Sequence, residues 1–341
     1  MNAKDPVGIA GIGTYLPDTY MTAEELSRRS GLPLAVVTEK MGISRKPIPG
    51  PDDHTCEMGI RAAREAMAAA GTAPEEIDLV VYIGEEHKEY PVWTAALRLQ
   101  EAVGARGAWG FDMSLRCSTA LAGIKIAKHM IASDPGIRTV LLAGGYRNVD
   151  LIDYANPRTR FMYNLAAGGG AVVLRGGLRR NVLLETCVIT DGSFSEDVVV
   201  PAGGTKLPLT ADALDRRLHC LDVPDPEGMK ERLERKSMDN FLQAVRASLS
   251  ASGYAERDIA YLGLLHMKRS AHEHVLKELG LRDEQSIYLH EYGHVGQFDP
   301  ILSLQLAERE GRLKDGDVVV LVSAGIGYAW SATTILWGDS A

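Results

Sequence analysis

The chain lacks most of what would mark a secreted, metal-bound or membrane-embedded protein. Its 341 residues include only four cysteines, Cys56, Cys117, Cys187 and Cys220, with no C-x-x-C pair. A chain of this length needs no disulfide framework, so the thiols read as reduced, in a reducing compartment. No stretch reaches the ~18 apolar residues of a membrane span. The opening "MNAKDPVGIAGIGTYLP" meets glycine too early for the apolar core of a secretory signal. An excess of basic charge is also missing, since the formal net charge is −8, which argues against bulk affinity for nucleic acid or anionic lipid. Together these absences predict a cytoplasmic protein with neither nucleic acid nor membrane as partner.

What is present is a large apolar fraction, 45% of residues, with 35 glycines, many of them closing apolar runs. Short β-type runs at 7–13, 79–84, 139–145 and 171–176 alternate with amphipathic helical patterns at 54–71 and 94–105 and after Cys117. The second half repeats the order. Runs at 181–190, 259–266 and 286–293 and the two closing runs "DVVVLVSAG" and "SATTILWG" read as strands, and 238–253, "SAHEHVLKELG" and "PILSLQLAEREG" as helices. Such alternation predicts an α/β fold of sheets covered by helices. "TAPEEIDLVVYIG" and "YAERDIAYLGLLH" share one layout, as do "RTVLLAGGY" and "DVVVLVSAGIGY". The layout suggests two pseudo-repeated halves, 1–178 and 179–341. The polar stretch 201–236, with four prolines, fits neither half and reads as a cap or insertion.

Cys117, in "DMSLRCSTALAGIKIAKHM", directly precedes a helical run. A helix starting there aims free N–H groups at the sulfur and favours the thiolate. The competing reading is a buried structural cysteine, which is also the reading for Cys56 and Cys187. A thiol nucleophile needs a proton acceptor and oxyanion donors. His266, in "LLHMKRS", ends an apolar strand, and His294, in "EYGHVGQFDP", follows a glycine turn with Asp299 five residues on. A carboxylate beside a histidine fixes its tautomer and stabilises its charged form. His272 and His274 in "AHEH" would point to different faces of a helix, which argues against a metal site.

In this order, these stretches resemble the thiolase superfamily, and within it the ketoacyl synthase III-like branch. "FDMSLRCSTALAGIKIA" is similar to the nucleophile elbow, "LLHMKRS" to the family's His motif, "YGHVGQFDPILSLQLA" to its His/Asn-type motif and "SAGIGYAW" to its glycine-rich oxyanion loop. The resemblance spans nearly the whole chain. It implies a five-layered αβαβα fold in a homodimer, with an acyl thioester formed on Cys117 and no metal or redox cofactor. The acyl donor would be acyl-CoA or an acyl carrier protein, as substrate. By the resemblance, the backbone N–H groups of Cys117 and Ile326 would hold the oxyanion, and Tyr90 would line the partner's acyl pocket.

The departures from the family pattern matter most. His294 stands where asparagine is usual, so the set is either Cys117–His266–His294 or a divergent triad Cys117–His294–Asp299. The first suits decarboxylative condensation with a malonyl thioester, and the second suits acyl transfer to a hydroxyl or amine. A catalytically silent partner subunit is a third reading, against which the intact residues argue. Val36 replaces an adenine-stacking tryptophan and Lys40 an arginine. Lys268 and Arg269 follow His266 and would meet a CoA phosphate or an acidic carrier helix. Thr119 replaces a glycine and would narrow the acyl site. Asp299→Ala is expected to slow acylation and leave the fold intact.

Overall fold

The computed structural model describes residues 5–326 and 328–339. Its first half contains β1 (Val7–Tyr15), β2 (Tyr20–Thr22), α1 (Ala23–Ser30), β3 (Arg45–Pro47), α2 (Thr55–Ala70), β4 (Leu79–Tyr82), α3 (Ala95–Val103), β5 (Trp109–Asp112), α4 (Thr119–Ser133), β6 (Thr139–Tyr146) and β7 (Gly168–Gly176). The second half contains β8 (Arg180–Thr190), α5 (Ala211–Asp215), α6 (Pro226–Ala251), β9 (Ile259–Leu264), α7 (Arg269–Glu278), α8 (Asp299–Arg309), β10 (Val318–Gly325) and β11 (Ala329–Asp339).

The strands run β5-β4-β6-β7-β1-β8-β11-β10-β9. Read outward from the centre, the two sides mirror each other. β1–β7 and β8–β11 are antiparallel, as are β7–β6 and β11–β10, while β6–β4 and β10–β9 are parallel. The halves meet through a single pairing, Gly8 with Val182, so this is two sheets touching at one corner. α4 and α8 contact strands of both halves, α2 and α3 cover the outside of the first sheet, and α6 covers that of the second. Helix, sheet, helix, sheet, helix is the five-layered thiolase-like order. The middle helices show their position in their sequence: α8 buries Ile301, Leu302, Leu304 and Ala307 and even its polar Ser303 and Gln305. A helix apolar on most sides belongs inside a core. Among the described residues no helix is long and apolar enough to cross a membrane.

Two expectations need correction. Residues 286–293 form no strand. Beside β9, Gln285 Nε2 donates to Ile259 O at 2.6 Å and Ser286 Oγ to Leu262 O at 2.8 Å, so side chains occupy edge carbonyls that a backbone ladder would need. The stretch 201–236 is also not one unit. Asp225 caps α6, accepting from Gly228 N at 3.0 Å, and Pro226 is its first residue, so residues 226–236 belong to a helix. Proline in the first helical turn starts a helix and does not break it.

The outer helix α2 lies unusually close to the first sheet because glycine faces it. A Cβ on Gly145 would sit 2.0 Å from Thr55 O, and one on Gly169 2.4 Å from Met58 O. Gly145→Ala should therefore cost about 3 kcal/mol by overpacking. Gly107→Ala, where a Cβ meets nothing within 4 Å, should be close to neutral. Chemical denaturation of both variants measures the difference, and equal midpoints would contradict the close approach.

Candidate active site

Cys117 sits in a tight turn between β5 and α4. Leu115 has φ −147° and ψ 38°, and Arg116 has φ 51°, a left-handed conformation that costs a non-glycine residue energy. Side chains hold the turn in place. Thr119 Oγ1 accepts from Leu115 N at 2.7 Å and donates to Arg116 O at 2.5 Å, while Ser323 Oγ donates to Cys117 O at 2.6 Å. Thr119, expected at the acyl site, thus spends its hydroxyl on the backbone of the elbow. Gly325, at the end of β10, packs against the same turn, and a Cβ there would lie 2.7 Å from Cys117 N.

From the other half come the histidines. Gly293, at φ 60°, turns the chain into His294, whose N–H donates to Asn164 O at 2.8 Å and whose carbonyl accepts from Ala166 N at 2.9 Å. So held, His294 presents Nε2 to Cys117 Sγ at 3.2 Å and Nδ1 to Asp299 Oδ2 at 2.5 Å. Asp299 is fully buried, at the first position of α8. Its Oδ1 also accepts from Val295 N at 2.6 Å and its Oδ2 from His266 N at 2.7 Å. Burial opposes a charge on His294, but the Asp299 carboxylate and the Cys117 sulfur beside it outweigh burial and hold the imidazole well above its ordinary range. The arrangement is therefore a buried relay of thiol, imidazole and carboxylate.

His266 is close by in the chain fold but engaged differently. Asn164 Nδ2 donates to its Nδ1 at 3.0 Å, which leaves Nε2–H to donate to Gly42 O at 3.3 Å. Its link to Asp299 is through the backbone, and burial pushes its pKa down to about 4. Nothing in the linear pattern marks Asn164. Nor does anything there mark Lys46, a fully buried ammonium donating to Tyr163 O at 2.7 Å, Leu165 O at 2.6 Å and Tyr154 Oη at 2.9 Å. Burial lowers its pKa to about 7. These bonds clamp the segment on either side of Asn164, which touches both histidines.

A cavity of about 680 Å³ lies beside the relay, with His266, Asn164, Gly325 and Ile326 in its walls. Its walls are largely apolar, with Phe241, Tyr328 and Trp330 among them, and Lys40, Arg158, Arg160 and Lys268 also line it. Lys40, Lys268 and Ile326 are thus brought together with His266, and Val36 lines the same cavity. Arg269 is not among its walls: its guanidinium lies over the Tyr288 ring at 4.4 Å. Tyr90 is 64% exposed on the surface, edge-on to Trp93, and Arg158 is paired with Asp222 at 2.7 Å. Sequence reading passed over Arg158 and Arg160, although "PRTRF" was the available signal. Among the described residues no group of three or more His, Cys, Asp or Glu side chains is placed to hold a metal ion.

Two outcomes follow from this geometry. Asp299→Ala strands two buried backbone donors, so, contrary to the expectation from sequence, it should destabilise the fold by about 2–4 kcal/mol. Asp299→Asn tests the relay with less damage. The neutral His266 sets a pH dependence. Its folded pKa of about 4 lies below the ordinary 6.5, so the unfolded chain binds the extra proton between these values. Stability is therefore complete above about pH 6.5 and falls as pH drops towards 4. His266→Asn should lose about 3 kcal/mol less than wild type between pH 7.5 and pH 4 in urea unfolding. His272, buried with a pKa also near 4, contributes equally to both proteins. Identical losses would contradict a neutral His266.

Comparison with known proteins agrees with this architecture. A profile of 3-oxoacyl-[acyl-carrier-protein] synthase III matches residues 111–192, and one of that enzyme's C-terminal region matches residues 249–337. The β-ketoacyl-[acyl-carrier-protein] synthase III of Symbiobacterium thermophilum is 30% identical over 335 residues, 98% of each chain. The crystal structure of 3-oxoacyl-[acyl-carrier-protein] synthase III from Aquifex aeolicus superposes with a TM-score of 0.82 at 22% identity, covering 97% of this chain and all of that one. A priming β-ketosynthase from a polyketide biosynthetic pathway gives 0.83 at 21% identity, covering 99% of each chain. The chain belongs to the 3-oxoacyl-[acyl-carrier-protein] synthase III family of the thiolase superfamily, and is an enzyme of the ketosynthase and acyltransferase type.

Proposed function

We propose that the protein takes an acyl group from an acyl thioester onto Cys117 and condenses it with a malonyl thioester. The observation that carries this reading is the relay from Cys117 Sγ to His294 at 3.2 Å and on to buried Asp299 at 2.5 Å. In the first half-reaction, the Cys117 sulfur attacks the thioester carbonyl. The oxyanion meets the backbone N–H groups of Cys117 and Ile326, and the departing thiolate takes the proton that His294 Nε2 holds. In the second, the malonyl carboxylate leaves as carbon dioxide. The electron pair becomes an enolate whose carbon attacks the acyl-Cys117 carbonyl, and the thiolate is expelled. The steps draw on no metal or redox cofactor.

Lys40, Arg160 and Lys268 along the cavity supply cations for a CoA phosphate or an acidic carrier protein. Exposed Tyr90 fits a homodimer in which it enters the partner's site. The silent-subunit reading has no support in a site whose thiol, base and carboxylate are all in contact.

One observation favours a second reading, acyl transfer to a hydroxyl or amine without decarboxylation. The Nε2–H of His266 is donated to Gly42 O, and His294 has given its Nε2 proton to the departing thiolate, so an enolate would meet no imidazole N–H. Once Cys117 is acylated, neutral His294 backed by Asp299 is a base for an acceptor O–H or N–H.

Intact-protein mass spectrometry against a panel of acyl-CoA and acyl-carrier donors tests the first step. Acyl mass should appear on the Cys117 peptide and vanish in Cys117→Ala, whereas label on Cys56 or Cys187 would overturn the assignment. Asp299→Asn should acylate at least 100-fold more slowly, by loss of the wrong-tautomer-excluding carboxylate. Carbon dioxide release from a malonyl thioester supports condensation. No release, with turnover on alcohols or amines, selects the second reading.

A further inference from the structure

Next to the nucleophile lies a set of buried polar groups that the relay does not use. Glu85 follows β4 and is only 2% exposed; its Oε2 faces Arg116 Nη1 at 3.3 Å, and its Oε1 has no hydrogen-bond partner. Asn148, just after β6, turns its amide N–H towards the Glu85 carboxylate and the Tyr146 hydroxyl as a hydrogen-bond donor, with its own Oδ1 buried and unpartnered. Gln297 is fully buried in the turn packed on the Cys117 turn. Its Nε2 donates to Ile83 O at 2.8 Å, which fixes the amide and leaves Oε1 without a donor. Tyr146 joins these groups to the nucleophile: its ring lies 5.9 Å from that of His294, and burial, then Cys117 and Glu85, push the pKa of its hydroxyl well up. Arg116, the residue before Cys117, is half exposed and links the cluster to the surface.

All three orphaned atoms are acceptors, and all lie around the carboxyl ends of β4 and β6, where α/β sheets bind ligands. Buried acceptors in native proteins have donors, and an exception calls for a missing ligand or water. An alkyl chain would leave these oxygens stranded, and a carboxylate would face Glu85. We propose that Glu85, Asn148 and Gln297 form the seat of the acyl group on Cys117 and select chains that carry a hydrogen-bond donor, a hydroxyl or an amide N–H. This inference rests on the acyl-Cys117 reading above. A site built to bond a hydroxyl discriminates against the analogue that lacks it more strongly than an apolar pocket discriminates between chain lengths.

Rates of Cys117 acylation by 3-hydroxybutyryl-CoA, butyryl-CoA and succinyl-CoA, read by intact mass, test the inference. The hydroxyacyl donor should react at least tenfold faster than butyryl, and succinyl should be slowest. In Asn148→Leu and in Glu85→Leu the hydroxybutyryl-to-butyryl ratio should fall to near one, and either folded variant suffices. Equal rates in wild type would show that solvent meets these oxygens and would overturn the inference alone. A faster succinyl donor would overturn the class of acyl group, and a ratio unchanged in the variants would overturn the residues named. No labelling of Cys117 by any of these or the wider donor panel would instead remove the acyl-enzyme reading itself.

Discussion

The site depends on one buried carboxylate. Asp299 accepts from His294 Nδ1, Val295 N and His266 N, and so ties both histidine segments to the start of α8. Three N–H donors and the helix N-terminus together offset the cost of burying a charge with no cationic side chain other than the imidazole it serves. That charge in turn favours the protonated form of His294, and His294 meets the sulfur.

The mirrored halves explain how the relay is assembled. Cys117 lies just before α4 and Asp299 opens α8, and these are the two helices of the middle layer. Each half therefore contributes the N-terminal end of its central helix, one carrying the nucleophile and the other the carboxylate. The ends of β9 and β10 add His266 and Gly325, and the β6–β7 connection adds Asn164, and all three line the cavity. The strained, left-handed backbone at Arg116 belongs to this convergence, in the turn that packs Cys117 N against Gly325.

Much of this was legible in the linear chain. A cysteine set before a helical run, and a histidine with an aspartate five residues on, are local patterns, and the structure joins them. The role of the His266 ring was not legible, because its partners Gly42 and Asn164 lie 224 and 102 residues away. The same holds for Lys46 and Glu85, charged residues whose burial depends on distant segments. Residues 286–293 read as a strand because alternation reports a half-buried extended chain and not whether a neighbour pairs with it. The start of α6 was hidden in a polar, proline-containing stretch read as a cap or insertion, when Asp225 and Pro226 form a helix start.

The protonation state of His294 in the resting enzyme tests the central claim most directly. In ¹⁵N-resolved NMR spectra at pH 7.5, both ring nitrogens of His294 should carry protons, and the signature should be weakened in Asp299→Asn. A neutral ring at that pH, with Nε2 unprotonated in the wild type, would contradict a relay sustained by the buried carboxylate.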